Sequence, residues 1–123
     1  MNQEGLASYT LRRAAGGHGN FARVLVGFPQ NAPDHINLSG DGEPVTQEWL
    51  DAAYDGVQYA KETLNRADKV LPFCIEGSLA DTRIDTIFCA AAIATSRLFG
   101  ENGWTEFFDG EKWIITNLDE KSS

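Results

Sequence analysis

Gly16-Gly17-His18-Gly19, followed by Asn20 and flanked by Arg12, Arg13 and Arg23, is the stretch whose residue types could do chemistry. Three glycines beside an imidazole could cradle a phosphate, hold a base, or simply turn a hairpin. A phosphate loop needs a Lys and a Ser or Thr entering a helix, whose N-terminal amides bind the anion. Here the chain runs instead into FARVLVGF, a strand pattern, so neither a nucleotide nor a dinucleotide site is expected. His18 has no acid at a spacing that would pair with it, and the other histidine, His35, lies in a proline-bounded loop. Ser78 is outside any G-x-S-x-G elbow, and Asp34, Asp41 and Glu43 miss the calcium-loop pattern. Cys74 and Cys89 sit in FCI and FCA as small buried hydrophobes would, with no second ligand at metal-binding spacing. The residues therefore predict a non-enzymatic chain with no catalytic residue, metal or cofactor.

The elements that must position this loop follow from periodicity. SYTLRR, residues 8–13, and FARVLVGF, residues 21–28, alternate apolar and polar positions. They predict an antiparallel hairpin with AAGGHGN at its tip, Tyr9, Leu11, Val24, Val26 and Phe28 facing the core and Arg23 facing away. Residues 29–44 are rich in turn formers, with room for a short strand at HINL. Residues 46–66 carry Trp49, Leu50, Ala53, Val57, Ala60 and Leu64 at helical spacing, with Thr46 as N-cap and Val45 against Leu50 as a staple. Gly56 inside that helix costs ~1 kcal/mol against Ala, which predicts close packing there. Residues 69–76 read as a strand in which Pro72 requires an edge or a bulge. A second helix, about 81–99, is predicted with Asp81 or Thr82 as cap, Ile84, Ile87, Phe88, Ala91, Ala94 and Leu98 on its buried side, and Gly100 or Gly103 at its end. WTEFFDGEKWIITN closes the chain as a hairpin around Asp109-Gly110. Its aromatic residues Trp104, Phe107, Phe108 and Trp113 are expected in core and cross-strand packing.

With 123 residues, 42% of them apolar and 23% charged, the chain reads as one folded domain, 1–123. It contains no apolar run of membrane-spanning length and opens with no basic segment ahead of an apolar one, so a cytoplasmic, membrane-free setting is expected. A net charge of −8 argues against a broad grip on nucleic acid, yet the local basic cluster coincides with the glycine loop.

In chain order, GGHGNFARV (16–24), VTQEWLDAAYDGV (45–57) and EGSL (76–79) resemble domain IV of translation elongation factor G and its ribosome-protection relatives. The family patterns are G-G-x-G-x-[YF]-x-x-V, a helix entry whose Glu, aromatic, Ala and Gly match Glu48, Trp49, Ala52 and Gly56, and D-G-S-Y. The likeness covers about residues 8–99, with 104–117 an added hairpin that would extend the sheet or form a homodimer contact. It implies an α+β two-layer sandwich of ribosomal-protein-like type with a left-handed βαβ crossover, against the usual right-handed rule. It also implies two loops at one tip, Gly16, Gly17, His18, Gly19 and Asn20 in one and Glu76, Gly77 and Ser78 in the other, meeting RNA backbone beside Arg12, Arg13 and Arg23. The partner expected on that basis is the ribosome or a structured RNA, without GTPase activity. Leu79 and Ala80 stand where the family continues with Tyr and His. The acidic balance and this altered loop suggest the alternative of a protein-interaction or homo-oligomeric assembly module.

Overall fold

The structure, a computed structural model, describes residues 5–15, 18–32, 47–77 and 82–117. Strands β1 (Leu6–Ala15) and β2 (His18–Gly27) form one antiparallel ladder, from Leu6 opposite Gly27 to Ala15 opposite His18. β1 exceeds its alternating segment at both ends, and β2 begins three residues before its own, because pairing, once begun, continues toward the turn; at its other end β2 stops at Gly27. Strand β3 (Leu71–Glu76) pairs antiparallel with β2, giving the order β1-β2-β3. The register slips between Leu25 and Val26, where Pro72, lacking an N–H, stands opposite Val26.

Helices α1 (Gln47–Thr63) and α2 (Ile84–Leu98) cover one face of this sheet. Ala22, Val24, Val26 and Ile75 meet Trp49, Ala53 and Val57 of α1 and Ile87, Ala90, Ala91 and Ala94 of α2 in a single buried cluster. Leu11 is fully buried and Tyr9 partly so, as the alternation predicts, whereas Phe28 lies just past β2 and packs at the margin of the cluster. The helices touch closely at Gly56: a Cβ there would lie 2.4 Å from the Phe88 carbonyl oxygen and 3.0 Å from Ala91 Cβ. That contact explains a helix-weakening residue in mid-helix. Asn65, at φ 56°, and Gly100, at φ 90°, end the two helices in the left-handed conformation.

Three expectations are corrected. Arg83 rather than Asp81 or Thr82 caps α2: its N–H donates to Thr86 Oγ1 at 2.9 Å, while the Thr82 hydroxyl donates to the Phe21 carbonyl at 2.7 Å. Ile84 is 50% exposed, on the side of α2 that lines an open groove, while Thr86 and Ile87 of the same turn are fully buried. Finally, β4 (Trp104–Phe108) and β5 (Trp113–Asn117) do not extend the first sheet. They form a second, two-stranded sheet over Leu11, Cys89, Ala92 and Ile93. The reason lies in its inner face, where Trp104 and Trp113 are buried. The result is an α+β sandwich with two small antiparallel sheets. The strands on either side of α1, β2 and β3, run antiparallel, and the HINL segment that would supply a parallel βαβ partner lies outside the described residues. So do Val45 and Thr46, the expected staple and cap of α1. No described helix is long and apolar enough to cross a membrane.

Candidate functional site

Because β3 runs antiparallel to β2, its last residue points back toward the glycine turn. Glu76 ends opposite Arg23, and the two side chains form an ion pair at 3.0 Å. Thr82, after the second loop, is tied to Phe21. The strand ends that carry the two loop segments thus lie at one end of the sheet. Gly19 is exposed there and Asn20 is buried, its amide 3.4 Å from the Arg13 carbonyl. Gly77 is buried against Thr82. Gly16, Gly17 and Ser78, and the side chain of His18, lie outside the described residues.

The three arginines diverge. Strand alternation sends Arg12 and Arg23 to the face away from the helices and Arg13 to the helix side. Arg12 stacks over Phe21, 5.0 Å from the ring centroid, with no carboxylate at ion-pair distance among the described residues. Arg23 is engaged by Glu76 and also lies 3.8 Å from Cys74 Sγ. Arg13 Nε donates to Glu106 Oε1 at 2.5 Å, although the two residues are 93 positions apart. The Tyr9 hydroxyl donates to the other oxygen of the same carboxylate. The Glu106 side chain is only 2% exposed, and a buried carboxylate persists when its oxygens are this fully bonded. Burial first, and then Glu106, push the Tyr9 phenol up to about 12. Arg97 of α2 lies over the Tyr9 ring at 4.7 Å, so the node joins β1, α2 and β4. Of Arg12, Arg13 and Arg23, two thus face a carboxylate, Glu106 and Glu76, and Arg12 faces none among the described residues.

The two cysteines are held in their neutral form. Burial raises the Cys89 thiol to about 12, with Asp85 and Glu106 adding to it, and burial followed by Glu76 raises Cys74 as well. Both stay protonated near neutrality. Among the described residues there is no group of three His, Cys, Asp or Glu side chains that could hold a metal ion.

A second surface lies where α1, the start of α2 and β5 leave a gap. It is an open groove of about 690 Å³ with Tyr59, Ile84, Phe88, Trp113, Ile114 and Ile115 as its apolar wall. Arg83, Asp85 and Lys112 stand at its margin. Tyr59 is 41% exposed and packs on the rings of Phe88 and Trp104. Asp85 accepts the Trp113 N–H at 2.8 Å and lies 3.2 Å from Arg83 Nε, pinning β5 to α2. The indole N–H of Trp113 has no hydrogen-bond partner among the described residues.

This architecture has a counterpart among solved structures. A crystal structure of a protein from Thermus thermophilus is similar over 76% of this chain, with a TM-score of 0.54 and 15% identity. The chain spans 15% of the length of that protein, and the likeness is one of fold. No family model and no curated protein matches the sequence.

Two features of these surfaces stand outside the sequence expectations. Ile84 satisfies the helical apolar spacing of α2 and is nonetheless exposed, since spacing marks a face and says nothing of where the covering layer stops. Glu106 left a signal that strand alternation could have read: in WTEFF it shares a face with Trp104 and Phe108, so a charge was bound for the inner side of an aromatic hairpin.

Proposed function

We propose that this chain is a non-enzymatic protein-interaction module, built on a scaffold that resembles elongation factor G domain IV and contacting its partner through the groove beside β5. The supporting observation is the groove itself. Exposed Tyr59 and Ile84 continue into the half-buried apolar residues Phe88, Ile114 and Ile115, the kind of surface that marks a contact site. The test is photo-crosslinking in the cells that express the chain, with the reactive amino acid at position 84 or, separately, at position 12. Position 84 should yield adducts with protein. RNA adducts at position 12, with none to protein at position 84, would overturn the reading.

A second reading is a translation-related module that associates with the ribosome or a structured RNA through the glycine-loop end. It is favoured by the gathering of the two loop-bearing strand ends and by exposed Arg12, which has no carboxylate partner among the described residues. Co-sedimentation with ribosomes at low salt, lost on Arg12→Ala, is its expected signature; indifference to that change removes it.

A further inference from the structure

The groove has a hydrogen-bonding side as well as an apolar one. Trp113, Ile114 and Ile115 are consecutive and all line it, although Trp113 and Ile115 face the core while Ile114 faces outward. A strand that lines a groove with residues of both faces presents its edge there. The pairing of β4 with β5 fixes which backbone groups that edge exposes. The Asp109 N–H donates to the Lys112 carbonyl at 3.0 Å, which makes Asp109 and Lys112 a hydrogen-bonded pair. In an antiparallel ladder such pairs alternate, so Phe107–Ile114 and Thr105–Thr116 exchange bonds, while Phe108–Trp113 and Glu106–Ile115 do not. The N–H and C=O of Trp113 and Ile115 therefore point away from β4. The Trp113 N–H fits this geometry, since it is the group that reaches Asp85. The Trp113 carbonyl and both backbone groups of Ile115 have no backbone partner among the described residues.

We infer that the groove takes an extended polypeptide segment that adds to the free edge of β5 as a third strand, a refinement that rests on the protein-interaction reading above. Three main-chain groups await it: the Trp113 carbonyl, the Ile115 N–H and the Ile115 carbonyl. Strand addition draws affinity from such bonds and selectivity from alternate side chains. One row of those side chains lies against Tyr59, Ile84 and Phe88, so the segment is apolar at alternate positions. Charge selects its remaining feature. The chain as a whole carries −8, yet the groove margin bears Arg83 and Lys112. Arg83 is shared with Asp85, whereas Lys112 has no carboxylate at ion-pair distance among the described residues. The segment therefore carries an acidic residue at the end that meets Lys112.

The test uses the intact chain, labelled with nitrogen-15, and a panel of synthetic hexapeptides that alternate Val, Ile, Phe or Thr with one Glu. Scrambled versions and versions N-methylated on the residues facing β5 serve as controls. Saturable shifts at Trp113, Ile114 and Ile115 and slowed exchange of the Ile115 amide are expected. N-methylation should weaken binding by about tenfold, as the loss of main-chain donors implies. Lys112→Glu, a change at an exposed position, should weaken it several-fold and leave the fold intact. Ile115→Pro removes a donor outside the β4 ladder and should abolish binding; Lys112→Glu keeps the test valid if that proline unfolds the hairpin. No shift with any peptide, or binding indifferent to N-methylation, overturns strand addition. So do shifts at Ile115 that grow with protein concentration in the absence of peptide, which would assign the edge to a second copy. Protein crosslinks at position 84 combined with indifference to N-methylation would leave the interaction reading standing and remove only the strand mode.

Discussion

Glu106→Gln would test the node that joins the C-terminal hairpin to the first sheet. The wild-type carboxylate accepts from the Tyr9 hydroxyl and from Arg13 Nε, one oxygen each. Gln keeps the volume but turns one acceptor into a donor, so the Tyr9 hydroxyl must turn to accept, and Arg13 keeps only a neutral acceptor in place of a charged one. A hydrogen bond to a charged group contributes about 1.5–3 kcal/mol when buried. The Arg13 side chain is 56% exposed, so water recovers much of its half and the ion pair adds only about 0.5–1 kcal/mol. The sum is a loss of about 2–4 kcal/mol, or roughly 6–20 °C in Tm for a domain of this size. Calorimetry and guanidinium unfolding would read it. In a cycle with Tyr9→Phe the coupling should exceed about 0.5 kcal/mol. A Tm within about 2 °C of wild type, or additive single changes, would refute the claim that this buried carboxylate holds the two sheets together.

Gly56→Ala raises helix propensity by ~1 kcal/mol but drives a methyl against the Phe88 carbonyl, so overpacking of about 1–3 kcal/mol should prevail and lower the denaturation midpoint. A higher midpoint would show that α1 and α2 stand further apart than described. The folded-state pKa of Tyr9, about 12, lies above its ordinary 10.0, so its contribution to stability is complete below pH 10 and is lost as pH rises toward 12. Ultraviolet titration should reveal one late-ionising phenol that Tyr9→Phe removes. The Lys112 and Glu111 amides, 2.9 Å from Asp109 Oδ1, hold the exposed Asp109 carboxyl below its usual range. That contribution is present above about pH 4 and fades as pH falls through the lowered value, so the protection of the Glu111 and Lys112 amides, relative to their intrinsic exchange, should fall there and in Asp109→Ala.

Local chemistry made much of the fold legible. Apolar spacing in 46–66 and 81–99 announced the helices, Asp109-Gly110 announced the second hairpin, and Pro72 announced an edge or a bulge, which the outer position of β3 and the register slip beside Val26 both supply. Cross-chain competition decided what stayed hidden. Thr82 reads as a cap until Phe21, 61 positions away, takes its hydroxyl. The cluster of Arg12, Arg13 and Arg23 reads as one basic patch until Glu106 and Glu76 engage two of its three members. The second sheet is separate because Trp104 and Trp113 need a covered floor, and only the packed helices reveal where that floor is.

The most direct measurement is the salt dependence of binding to a structured RNA. With Arg13 and Arg23 already paired, Arg12 is the member of this cluster with no carboxylate among the described residues, and the logarithmic slope should lie no steeper than about −0.7 to −0.9. A slope near −2 or steeper, reduced in steps by Arg13→Ala and Arg23→Ala, would mean that the carboxylates release their arginines to phosphate, and the account of this surface would fail.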